Sequence, residues 1–150
     1  MDRQLSVQDQ DRRSLLLALK SAHNEVLAAA DAFDRILRGP HPGDVALTGI
    51  RLKLTVTNGR KRVLLERIYA AFGELPPGEA EQVRALRADA AATLQRASAH
   101  IARWTTREMT KNWAGYVTDC KPVPPSIRAS VSAERRFLYP MLGEGERKAA

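Results

Sequence analysis

A single cysteine, Cys120, excludes any disulfide within the chain, and a reducing compartment is the simpler expectation. Apolar runs are short: the longest, residues 15–19, is flanked by Arg12, Arg13 and Lys20. A membrane-spanning helix needs roughly 18–20 such residues. The N-terminus has no basic stretch leading into an apolar segment and a small-residue cleavage site, so no secretory signal is read and a cytoplasmic setting is expected. Glycine-rich phosphate loops, paired cysteine motifs and a nucleophile elbow are all missing. With no acid–base pair or activated nucleophile to nominate, no catalytic residue is assigned and a non-enzyme is expected.

What is present is the composition of a folded domain, 44% hydrophobic and 27% charged, too apolar for a disordered chain. One domain of residues 1–150 is expected, with its core over about 11–142 and a basic tail over 143–150. The net charge of +7 is unevenly spread. Residues 1–43 balance six cations against six anions, whereas residues 44–75 carry six against three. The densest cluster, Arg60-Lys61-Arg62, would suit an acidic partner or a nucleic-acid backbone. No helix-turn-helix, zinc-finger or RNA-recognition signature accompanies it.

Helical periodicity dominates the chain. Leu16, Leu19, His23, Val26, Ala30, Phe33 and Leu37 recur at spacings of three and four, which predicts a helix over about 11–38. Ser6, Asp9 and Asp11 are start signals, and Gly39-Pro40-His41-Pro42-Gly43 stops it. A second helix is read over about 44–72, with Asp44 as N-cap. Its middle carries a conflicting signal. Residues 52–57 alternate apolar and polar, and Asn58-Gly59 could turn a hairpin into residues 60–65. A lone hairpin has no third strand to join here, so one continuous helix is favoured.

Pro76-Pro77-Gly78 opens a third helix with the stripe Val83, Leu86, Ala90, Leu94, Ala97, Ile101 and Trp104. Thr105-Thr106 loosens the pattern before Met109, Trp113, Tyr116 and Val117 resume it. Pro122, Pro124 and Pro125 interrupt, and a last helix is expected over about 126–142. Short Pro/Gly connections between such segments predict an all-α, up-down four-helix bundle.

His23 stands on the apolar stripe of the first helix, so its ring nitrogens need buried partners or a metal. His100 lies beside the third stripe. Glu66 and Glu134 each precede an aromatic-containing apolar end, in Leu65-Glu66-Arg67-Ile68-Tyr69 and Glu134-Arg135-Arg136-Phe137-Leu138-Tyr139-Pro140. An inward histidine on helix one, a glutamate ahead of an aliphatic-Tyr pair on helix two, and Glu-x-x-Phe-Leu-Tyr-Pro-Met-Leu on the last helix resemble the hemerythrin-like (HHE) bundles.

In that family a di-iron centre is held by histidines from each helix and by His-x-x-x-Glu pairs on the second and fourth. The resemblance matches His23 to the first-helix ligand and Glu66 and Glu134 to the bridging carboxylates, with His100 the one histidine on helix three. Arg62 and Ser130 stand where the other two histidines would be. A fixed guanidinium charge there implies a lost metal site, with Arg62 in a buried ion pair with Glu66 or Glu134. The expected protein is a cofactor-free regulatory or protein-interaction module that binds a protein partner or itself. The rival readings are a metal- or oxygen-responsive protein with a reduced iron site and a basic nucleic-acid-binding bundle.

Overall fold

The computed structural model describes residues 7–145, which form helices and turns with no strand among them. Ser6 and residues 146–150 of the basic tail lie outside the described residues. The elements are α1 (Val7–Arg38), α2 (Asp44–Phe72), α3 (Pro77–Arg103), α4 (Thr106–Lys111), α5 (Trp113–Cys120) and α6 (Val123–Met141). No helix is long and apolar enough to cross a membrane among these residues.

The stripe of α1 is the centre of the packing. Leu19, Val26, Ala29 and Ala30 are wholly buried, and Phe33 and Leu37 nearly so. α1 packs most extensively against α2 and then against α6. The core falls into three apolar groups along this axis. Leu19 meets Leu65, Ile68, Val83 and Leu138 at one end; Val26 and Ala30 meet Ile127 and Val131 in the middle. Phe33 and Leu37 meet Leu47, Ile50, Trp104, Met109 and Tyr116 at the other end.

α2 is helical straight through Asn58-Gly59. Its inner line, Leu47, Ile50, Thr57, Lys61, Leu65 and Ile68, keeps one helical phase across the turn signal. Polar side chains there bond within the helix: Thr57 Oγ1 donates to the Lys53 carbonyl at 2.8 Å and Asn58 Nδ2 to that of Leu54 at 2.9 Å. The alternation over 52–57 has a different origin from a strand. Leu54 faces inward, whereas Leu52 and Val56 lie exposed on the opposite side. Gly43, at φ 101°, caps α2 in place of the expected Asp44, which is the first helical residue.

Two boundaries and one apolar stripe depart from the expectation. The stretch after Arg103 is two short helices rather than a continuation of α3. Thr105 Oγ1 caps α4 by accepting from Glu108 N at 3.2 Å, and Asn112 Oδ1 caps α5 by accepting from Gly115 N at 3.0 Å. α6 starts at Val123 with Pro124 and Pro125 in its first turn, where a missing N–H costs nothing. The predicted stripe of α3 is only partly used: Val83 and Trp104 are buried, but Leu94 and Ile101 remain 43% and 48% exposed.

Substituting Gly59 tests the helical reading directly. A Cβ there would have only the Arg62 guanidinium near it, at 3.9 Å. Gly59→Ala is therefore expected to stabilise the fold by about 1 kcal/mol. In thermal unfolding that corresponds to a midpoint raised by ~2–4 °C. A hairpin turn at the same place would be destabilised instead.

Candidate functional site

Between the apolar end group and the middle group lies a polar layer. His23 follows Leu19 by one turn on α1, Glu134 sits between Val131 and Leu138 on α6, and Lys61 sits between Thr57 and Leu65 on α2. All three are buried, at 2%, 5% and 7% exposure. Glu134 Oε1 accepts from His23 Nε2 at 2.9 Å, and its Oε2 accepts from Lys61 Nζ at 3.1 Å. The other ring nitrogen, His23 Nδ1, is 2.7 Å from the Tyr139 hydroxyl.

A carboxylate only accepts, so the Nε2 proton of His23 points at Glu134, and in the neutral ring Nδ1 then accepts from Tyr139. Burial raises the Tyr139 hydroxyl above the ordinary phenol range, which keeps it a donor. Every polar atom that meets at Glu134 is thus paired. Isolated buried charges cost several kcal/mol each, and the Lys61–Glu134 pair with its histidine offsets that cost.

Lys61, rather than Arg62, supplies the buried cation. The inner line of α2 passes through residues 57, 61, 65 and 68, so position 62 is rotated by about 100° from position 61. Arg62 and Glu66 are both exposed, and Glu66 makes a two-point pair with Arg87 of α3. The expected Arg62–Glu66 pair in the core is therefore replaced by Lys61–Glu134. The basic cluster is also divided: Arg60 and Arg62 face solvent, with Arg60 3.7 Å from Glu25, while Lys61 points into the core.

His23 and Glu134 are the two nominated ligands that come together. Glu66 is held at the surface, and His100 belongs to the opposite end of the core. There His100 Nε2 lies 3.3 Å from Cys120 Sγ, beside Tyr116 and the ring cluster of Trp104 and Trp113. The residues therefore do not fit a di-iron centre. Both oxygens of Glu134 and both nitrogens of His23 are engaged within the protein, and among the described residues no group of three or more His, Cys, Asp or Glu could hold a metal.

Lys61 and Tyr139 are the members of the layer that sequence reading missed. The signal was available for Lys61, which falls on the apolar line of α2 one turn before Leu65. The His100–Cys120 contact is no nucleophile pair. Burial pushes the thiol up to about 11 and the imidazole below its usual range, so both groups rest neutral.

Comparison with protein-family models, with curated proteins and with solved structures finds no match for this chain.

Lys61→Met and Glu134→Gln are each expected to cost about 3–5 kcal/mol in urea unfolding, because each strands the other charge in the core. Combining Lys61→Met with Glu134→Met should cost less than the sum of the two methionine singles, with a coupling of about 0.5–3 kcal/mol. Additive losses would show that the pair is not an interacting unit. Cys120, wholly buried and protonated, is expected to resist a thiol reagent at about pH 8 in the native state and to react once denaturant opens the fold.

Proposed function

We propose that the chain is a hemerythrin-like, up-down four-helix bundle, formed by α1, α2, α3 and α6, that works without a di-iron centre. In this reading it is a non-catalytic regulatory or protein-interaction module. The observation that carries the reading is the Lys61 ammonium on Glu134, 3.1 Å away in the core, beside His23. The family resemblance puts metal charge between these helices; here a side-chain cation neutralises the same carboxylate. The support for a non-catalytic role is chemical. His23, Lys61, Glu134 and Tyr139 are paired with one another, which leaves none of the four free to act on a substrate.

The rival reading, a metal-responsive protein with a reduced site, makes a different use of His23 and Glu134. Elemental analysis of the purified protein separates the two. The expected result is iron and zinc well below one equivalent, unchanged in His23→Ala. Stoichiometric iron or zinc that disappears in His23→Ala would overturn the proposal and favour the rival.

A further inference from the structure

The outer face of α2 takes no part in the core or in the polar layer. Val45, Leu52, Val56 and Val63 are 90%, 61%, 39% and 63% exposed. At about 100° per residue they fall within roughly 40° of a single line along the helix. Gly49 and Gly59 lie on the same line. α2 is thus apolar on two opposite sides, and only one of them is covered.

The glycines need a reason. Each costs about 1 kcal/mol relative to alanine in a helix interior. Nothing within the chain requires either of them: a Cβ at Gly49 would meet no atom within 4 Å, and one at Gly59 only Arg62. Close approach of another helix supplies the reason, because missing side chains let two backbones come together and ridges enter the notches. Two depressions of about 520 and 480 Å³ adjoin Val63 along this face, with Arg62 and Arg67 bordering both.

Charge selects the occupant. Lys53 and Arg67 flank the apolar line on one side, with Arg60, which also lies 3.7 Å from Glu25 of α1, beside them, and Arg62 flanks it on the other. The acidic residues of α2 are Asp44 at its start and Glu66, which Arg87 already engages. A second copy of this chain would set these cations against their own kind. A bilayer surface would suit the charge, but the line carries no aromatic residue to anchor in it and is notched by glycine. We propose that the outer face of α2 docks an amphipathic helix of a partner protein, with a seam of small and aliphatic side chains flanked by Asp and Glu. This inference rests on the reading of the chain as a protein-interaction module and names its surface and partner chemistry.

The test uses the full chain and a labelled synthetic helix with a leucine–alanine seam and glutamate flanks, read by fluorescence anisotropy. Saturable binding is expected, weaker by about tenfold in Val56→Glu and in Val63→Glu. A lysine-flanked peptide with the same seam should bind weaker by a similar or larger factor. The paired reversal Lys53→Glu/Arg67→Glu leaves the apolar line and the Arg60–Glu25 pair intact and should invert the preference between the peptides. Equal binding of both peptides, no binding of the acidic one, or indifference to Val63→Glu would overturn the proposal. So would a concentration-dependent dimer in sedimentation that Val63→Glu abolishes, which would assign the face to a second copy, or tight binding to phosphatidylserine vesicles. Metal-free protein that ignores the acidic peptide overturns this surface alone. Stoichiometric metal at His23 overturns the module reading whatever the peptide does.

Discussion

The carboxylate of Glu134 is the constraint on which the centre of this molecule is arranged. A buried anion on α6 must find compensation, and it draws a histidine from α1 and a lysine from α2 to its two oxygens. Those contacts fix three helices in one register. A shift of one turn along any of them would leave a charge or a ring nitrogen unpaired among leucines and valines. Apolar packing above and below the layer tolerates small displacements, whereas the paired polar atoms do not. The layer is better suited to specifying the arrangement than to adding stability.

Away from the layer the two ends of the molecule are built differently. At the end holding Leu19, Leu65, Ile68 and Leu138, the core is aliphatic with Tyr69 and Tyr139 at its margin. At the other end it is aromatic: Tyr116 meets Trp104 edge-to-face and Trp113 at a tilt, and both indole N–H groups find oxygen acceptors, on Asp119 at 2.8 Å and on the Gly39 carbonyl at 3.1 Å. Trp104 ends α3, α5 carries Trp113 and Tyr116, and α4 adds the buried Met109. α3 packs Val83 and Leu86 against the end holding Leu19 and Leu138, and Arg87–Glu66 and Arg51, reaching the Ile101 carbonyl at 3.4 Å, tie it to α2, while Leu94 and Ile101 stay largely uncovered. Its alanine-rich face offers little area to bury, and the half-exposed Arg87–Glu66 pair adds little more.

Helix existence and most helix ends were legible in the residues. The spacing of Leu19, His23, Val26 and Phe33, the stop at residues 39–43 and the prolines at 76–77 each carry a local physical cause. The inward histidine was legible for the same reason, as a polar residue on an apolar line. The cap at Thr105 was less so, because a threonine pair inside a continuing period reads equally as a tolerated interruption. For the candidate site, spacing borrowed from a motif competed with the phase of α2. The motif favoured residues 62 and 66, and the helix placed 61 and 65 inside.

By itself the sequence determined a helical chain with one cysteine, a histidine facing the core and a surplus of cations on the second helix. These follow from periodicity, composition and local start and stop chemistry, which act over a few residues. Only the tertiary structure decided which basic residue entered the core, which glutamate it met and which side of α2 was left uncovered. Those outcomes depend on a 100° rotation between neighbours and on partners more than 70 residues apart, as Lys61 and Glu134 are. An α2 with apolar residues on both sides leaves that choice open until α1 and α6 pack against one of them.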